Sequence, residues 1–403
     1  MKKLMLLGGI QYLIPAIETA HRHGYYVITV DYIPNNIAHQ YSDEYHYLSI
    51  MDKDAVLALA KELKIDGILS YAVDPGVVTA AYVAEQMGLP FSCSYKTACI
   101  LQDKSQFRQY LAQNGFNVPN AKGYINAEDA IRDIDYYNWP VIVKPVDSAG
   151  SKGVSRVDNP KDLLESINLA LKESHNGHFI IEDFLEKEGM SSGAECFFVD
   201  GELKYNAFYD QWFDSEATNP YVPSAECWPT GKSENILMDV RSQLQRLGNL
   251  LKFQTGIFNV EWRICKNGKV YLMEVSPRAG GNRLAEILNY ATDIDIIEAE
   301  VCKAVNDHLK EIHDPVFINY YVILVLHSEN KGLFKNVEIN NIIKKHIIEE
   351  EIRVKRGEMI EAFNGANNAI GTLFLCFDTR KNMEHFLVHQ KKWVKINIEQ
   401  PII

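Results

Sequence analysis

Apolar positions follow two rhythms along the first hundred residues. Short continuous runs at 4–7, 27–30 and 67–70 read as buried strands. Between them, apolar residues at helical spacing predict helices over about 15–23, 54–63 and 77–87, the first stopped by Gly24. Strand and helix in alternation predict an α/β unit, a small parallel sheet covered on both faces. After residue 100 the rhythm changes. A helix over about 105–114 precedes a strand at 141–144, a Gly- and Ser-rich loop, a helix over 161–172 and strands at 179–182, 195–199 and 203–208. A helix over 234–253, a hairpin and a helix over 294–309 follow. From 313 onward the chain opens with FINYYVILVL and reads as a small strand-rich end.

The hairpin is the sharpest local feature. NVEWRICKNGKVYLMEVSPRAGGN has Asn267-Gly268 at its centre, which predicts a two-residue turn. Counting outward pairs Lys266 with Lys269, Ile264 with Tyr271, Trp262 with Met273, and Glu261 with Glu274. Like charges directly opposite each other destabilise a sheet. A divalent cation between them makes the pair tolerable, and Mg²⁺ prefers one or two carboxylates plus phosphate oxygens. The same register sets Asn259 across from Ser276 and places Arg263 and Arg278 on the same face.

Composition narrows the class. With 403 residues and 47% hydrophobic positions the chain fills two to three packed domains. A net charge of −12 argues against a nucleic-acid surface. No apolar run reaches the length of a membrane span, and the run after MKK stops at Gly8-Gly9, short of a signal peptide. Seven cysteines without a CxxC pair indicate neither a disulfide framework nor a zinc site, so a cytoplasmic setting is expected. His21 and His23 read as a favourable helix C-terminus rather than a metal site.

A second feature supports phosphate chemistry. In VKPVDSAGSKGVSRV, Gly150 and Gly153 free the backbone, while Ser148 and Ser151 offer donors. Lys144 ends the strand before this loop. The Walker pattern is absent. Gly8-Gly9 and Asp31 sit where a dinucleotide would bind, but GxGxxG is missing there too.

Together these residues resemble the ATP-grasp superfamily, which includes carbamoyl phosphate synthetase, biotin carboxylase and D-alanine–D-alanine ligase. The most specific match is the acidic hairpin closing in Glu274-Val275-Ser276-Pro277-Arg278-Ala279-Gly280-Gly281. A narrower resemblance is to carboxylate–amine ligases of the carbamoyl-phosphate-synthetase-like type, several of which serve dipeptide or cell-surface polysaccharide synthesis. The resemblance implies an N-terminal Rossmann-like α/β domain at 1–100, a small ATP-grasp subdomain with its linker helix at 101–188, a large subdomain at 189–312 and an α+β C-terminal domain at 313–403.

It also implies a site by position. Lys104 and Lys144 hold ATP phosphates under the loop of Ser148, Ser151 and Gly153. Glu182, Asp183, Phe184 and Leu185 form the adenine hinge, with Glu188 toward the ribose. Glu261 and Glu274 bind Mg²⁺ (Mn²⁺ is the alternative), and Arg278 stabilises the transferred phosphate. Where the family has an asparagine ligand this chain has Ser276, so Asn259, or a water on Ser276, is expected to supply that oxygen. Arg278 with the Gly280 and Gly281 amides is expected to hold the oxyanion.

The expected reaction activates a carboxylate as an acyl phosphate and joins it to an amine, with both substrates small molecules. In the aromatic, acidic stretch 209–229, Trp212, Glu226 and Trp228 are substrate candidates, with Arg283 for a carboxylate. The last ninety residues complete the site or form a homodimer contact. The competing readings are a non-catalytic ATP-binding regulator and carboxylase or carbamoyl chemistry.

Overall fold

The computed structural model describes residues 1–148 and 150–399. Its N-terminal sheet is parallel, with strands in the order Glu44–Tyr47, Tyr26–Asp31, Lys3–Leu7 and Gly67–Leu69. Helices Ile14–Arg22, Lys53–Leu63 and Asp74–Met87 connect and cover it. The Gly8-Gly9 turn is required by packing. A Cβ on Gly8, at φ +109°, would lie 2.9 Å from Val73, and one on Gly9 would lie 2.5 Å from the His39 ring. Asp31 is buried and accepts a hydrogen bond from Asn36. Both dinucleotide-like features thus serve this domain's own core.

A second, antiparallel sheet runs Ala121–Tyr124, Phe179–Asp183, Val141–Pro145 and Ser155–Val157. Helix Leu163–Glu173 packs its buried Leu163, Ile167 and Ala170 against it. The third and largest sheet has eight antiparallel strands: Val270–Ser276, Gly256–Ile264, Ser191–Val199, Glu202–Phe213, Pro223–Trp228, Tyr320–Leu326, Gly371–Phe377 and Ile347–Ile352. Helix Glu234–Leu251 seals one face through Val240, Leu244 and Leu247. Helices Leu284–Thr292 and Ile296–Ala304 cover part of the other.

One sequence expectation changes here. The expected helix over 294–309 is shorter, Ile296–Ala304, and a separate helix, Leu284–Thr292, precedes it. Asp293 at φ +55° breaks them apart. The strand-rich end contributes to two sheets. Three of its strands extend the large sheet past residue 312, and the others form a small sheet of Met359–Ile360, Gly332–Ile339 and Val394–Glu399. Among the described residues no helix is long and apolar enough to cross a membrane.

Candidate active site

The hairpin keeps its acidic pair although its turn differs from expectation. Gly268 alone takes a positive φ, +74°, while the Cys265 amide donates to Lys269 O and the Gly268 amide to Cys265 O. The loop therefore has three residues, of the kind that closes on a glycine bulge. The tip register moves by one: Ile264 faces Val270 and Trp262 faces Leu272, rather than Tyr271 and Met273. A second irregularity between Glu261 and Trp262 restores the count by skipping Met273. Glu261 then faces Glu274, and Asn259 faces Ser276. The Met273 carbonyl, freed from the ladder, accepts from Arg108 Nη1 at 2.8 Å.

Arg108 is the residue that sequence reading missed. It lies one turn beyond Lys104 on helix Lys104–Gln113, so the two share a face. Its Nε donates to Glu182 at 3.0 Å, and Glu182 also pairs with Lys144. Ile142 pairs with Glu182 and Lys144 with Ile180, so strand alternation sets Lys144 and Glu182 on one face of the small sheet. Burial pushes the Glu182 carboxyl up, but Arg108 and Lys144 outweigh it and hold it at about 2. Burial is also the main influence on Lys144. Glu182 raises it, Arg108 lowers it, and the amine ends at about 8 instead of 10.5.

This sets a pH dependence. The unfolded lysine holds its proton up to about pH 10.5, whereas the folded one releases it near 8. Between these values the unfolded chain binds more protons, so the Lys144 contribution to stability rises with pH. The charge it offers a phosphate falls across the same window. Titration calorimetry should show MgATP affinity dropping above pH 8 by up to about tenfold per unit. Lys144→Met should flatten that slope, and an unchanged slope would remove Lys144 from the phosphate contacts.

Lys104 spans the two sheets. Its Nζ lies 3.4 Å from Glu274 Oε2 and donates to Ser148 O at 3.0 Å. Burial and the facing Glu274 hold the Glu261 carboxyl above the usual carboxylate range. Two facing carboxylates, with lysines at the rim, form a donor set suited to a divalent cation and a polyphosphate. Asn259 gives its amide nitrogen to Glu195, and its Oδ1 has no partner among the described residues. It is therefore the better placed of the two candidates for the extra oxygen. The Ser276 hydroxyl donates to Asp74 at 3.1 Å, accepts from Gln102 at 2.7 Å and is fully buried. This bonding removes Ser276 from the expected metal shell.

Other expected residues are also engaged elsewhere. Arg278 makes a two-point bond to Asp74, Nε at 2.8 Å and Nη2 at 2.7 Å, and Asp74 belongs to the N-terminal domain. The hairpin arginine is thus held by a residue two hundred positions earlier. The Gly280 amide donates to both Glu195 oxygens at 3.1 Å and is not free for an oxyanion. The Gly281 amide has no partner among the described residues, and Gly281 is half-buried beside Tyr12. Arg283 is neutralised by Glu286 at 2.6 Å and Glu349 at 2.5 Å, which leaves no cation for a substrate carboxylate. Trp212 points to the opposite sheet face and packs with the core around Cys227 and Val322. Trp228 is fully buried against Tyr209.

In the phosphate loop the Ser148 hydroxyl donates to Glu173 O, and Ser151 donates to Tyr221 O at 3.0 Å. Their side chains brace the loop, which leaves its backbone to meet a ligand. Gly153, at φ +67°, packs against Glu173 and Ala170. In the hinge stretch, Asp183 turns outward to Asn120 and Asn138. Phe184 stacks under Arg156, and Leu185 packs with Cys265, Tyr271 and Met273. Glu188 is exposed, with its amide on Ile264 O. Glu226 is buried on the cleft face of the large sheet.

Two sheets closing on an acidic hairpin, with lysines between them, define a nucleotide-clamping class of fold. Comparison with known proteins gives that class its name. Residues 137–287 match the family model for the ATP-grasp domain. The chain is 25% identical over 292 residues to the carbamoyl phosphate synthase large chain of Pseudothermotoga lettingae, covering 69% of this chain and 26% of that one. It therefore spans about a quarter of the length of those relatives. It is 25% identical over 291 residues to the formate-dependent phosphoribosylglycinamide formyltransferase of Parasynechococcus marenigrum, covering 69% and 70%. Among solved structures, the L-amino acid ligase from Bacillus licheniformis superposes with a TM-score of 0.81 at 19% identity over 99% of both chains. The N5-carboxyaminoimidazole ribonucleotide synthetase from Thermotoga maritima gives 0.75 at 19%, over 99% of this chain and 100% of that one. This chain carries an ATP-grasp domain homologous to that of the carbamoyl phosphate synthase large chains.

Proposed function

We propose that the chain is an ATP-dependent carboxylate–amine ligase. The observation that carries this reading is the opposition of Glu261 and Glu274 on the large sheet, with Lys104 bridging to the phosphate loop and Lys144 on the facing small sheet. A carboxylate resists nucleophiles because of its own charge. Transfer of the γ-phosphoryl group gives an acyl phosphate, and attack by an amine then releases phosphate. Such chemistry needs positioning and charge neutralisation, with no protein nucleophile.

Magnesium or manganese, when bound by Glu261 and Glu274, would screen the two acids and polarise the phosphoryl group. Asn259 Oδ1 is the third candidate oxygen. Lys104 and Lys144 would hold the β- and γ-phosphates, and the loop backbone around Gly150 and Gly153 would cover them. Phe184 and Leu185 would bracket adenine at the hinge. Arg278, oriented by Asp74, would present its remaining N–H groups to the transferring group. The names of two relatives, a formate-dependent formyltransferase and an L-amino acid ligase, support acid activation followed by capture. The seven unpaired cysteines suit a reducing compartment and support a cytoplasmic placement.

The test is ADP and phosphate release against a panel of carboxylates crossed with amines, with and without Mg²⁺. The expected result is metal-dependent release for one acid–amine pair, with a product lighter than the two substrates by one water. ATP hydrolysis that no pair stimulates would overturn the reading.

A further inference from the structure

The sheet face that carries Glu261 continues beyond it across three more strands. Pairing preserves the face from strand to strand. Glu261 is opposite Gly193, Gly193 is opposite Tyr209, and Gln211, two residues on, is opposite Glu226. Three strand spacings across the sheet and two residues along it put the Glu226 backbone about 16 Å from that of Glu261. That is too far to share a metal and far enough to leave room for an acyl phosphate between them.

Glu226 is 3% exposed. Asn282 donates to its Oε1 at 3.0 Å, and the Tyr12 hydroxyl from the N-terminal domain donates to Asn282 Oδ1 at 3.4 Å. The other oxygen, Oε2, is buried and has no partner among the described residues. Buried polar atoms in native proteins are nearly always paired, and an unpaired one needs an explanation. Among the described residues no cation pairs with this oxygen. Arg283 is taken by Glu286 and Glu349, Arg353 by Glu351, and Arg278 by Asp74. Burial raises the Glu226 carboxyl to about 7, with Asn282 opposing and the Glu261 charge adding to it. A cationic ligand with N–H donors would satisfy the unpaired oxygen and hold the carboxylate ionised.

We propose that Glu226 is the amine site, a deepening that rests on the ligase reading above. The substrate ammonium sits on Oε2, and the Tyr12–Asn282 pair fixes the carboxylate that receives it. Glu226 takes one proton from the ammonium, which frees the nitrogen lone pair. The nitrogen then bonds to the acyl carbon while the C–O bond to phosphate breaks. Phosphate leaves with that electron pair and takes the second nitrogen proton. The acceptor substrate is thus a primary amine that arrives protonated, such as the α-ammonium of an amino acid.

The test exploits hydroxylamine, a neutral nucleophile that traps acyl phosphates as hydroxamates and needs no ammonium site. L-amino acids and small monocarboxylates serve as acids, and hydroxylamine or primary amines serve as acceptors. Glu226→Gln should lower amide yield relative to hydroxamate by about fiftyfold, as expected for loss of a charged hydrogen bond. The amine KM should rise, and Glu226→Asp, which keeps the charge, should recover part of the loss. A MgADP-induced thermal shift checks that each variant folds; if Glu226→Gln does not, the amine KM of Glu226→Asp is the deciding readout. Amide and hydroxamate falling together, or neither changing, would overturn this inference and leave the ligase reading standing. Wild-type protein that forms no hydroxamate from any carboxylate would overturn the ligase reading and this inference with it.

Discussion

Glu274→Gln is expected to remove ATP turnover, by on the order of a thousandfold, without unfolding the protein. The reason lies in what the residue does when no cation is present. Glu274 faces Glu261 across the hairpin, and like charges at that separation oppose pairing by roughly 0.2–1 kcal/mol. The neutral amide removes that repulsion. It also weakens the contact to Lys104, which is long at 3.4 Å. The two changes oppose each other, so the melting temperature of the nucleotide-free variant should stay close to that of the wild type. The stabilisation that MgATP confers on the wild type should largely vanish, since a ligand raises stability only by binding the native state. Differential scanning fluorimetry with and without MgATP reads both effects. A large drop in the nucleotide-free melting temperature would show that Glu274 is structural and would argue against a metal role for the pair.

Glu182→Ala should act in the opposite way and destabilise the fold itself. Glu182 is buried between Arg108, 3% exposed, and Lys144. Removing the shared acid strands two cations in a dry environment. Breaking a buried ion pair in this manner costs about 3–5 kcal/mol. Lys144 can shed part of the cost by losing its proton, whereas Arg108 cannot. Arg108 also holds the Met273 carbonyl at the hairpin irregularity that brings Glu261 back opposite Glu274. The variant should therefore lose stability in urea unfolding and nucleotide affinity together. A second substitution, Lys144→Met on the Glu182→Ala background, should restore some stability by removing one stranded charge. Failure of that partial rescue would place the stability effect outside the ion triad.

Much of the local structure was legible because it depends on neighbours in sequence. The parallel N-terminal unit follows from short apolar runs alternating with helical periodicity, and its three expected strands and three expected helices match within a few residues, although the edge strand Glu44–Tyr47 was not among them. A two-residue turn at Asn267-Gly268 predicts the acidic pair, although the observed loop has three residues. Two irregularities, at Gly268 and at Met273, cancel, and the pair survives them. Sequence spacing alone cannot reveal that cancellation. Arg108 was hidden for a different reason. A helical arginine usually reads as a solvated charge, and its role depends on Glu182 and Met273, seventy-four and one hundred and sixty-five positions away.

The chain by itself determined the strand and helix rhythm, the acids on one hairpin face, the lysines before and within the phosphate region, and the glycines of its loop. These are consequences of side-chain period and backbone freedom, which act over a few residues. The tertiary structure decided which polar groups remain free. Asp74 takes Arg278 and Ser276, Glu195 takes the Gly280 amide, and Glu286 and Glu349 take Arg283. Glu226 is left with one buried oxygen that has no partner among the described residues. A polar residue can be recognised from sequence, but whether its charge is neutralised depends on groups brought near it by folding. That distinction helps separate a structural ion pair from a binding site, because an unsatisfied group gains most from a ligand.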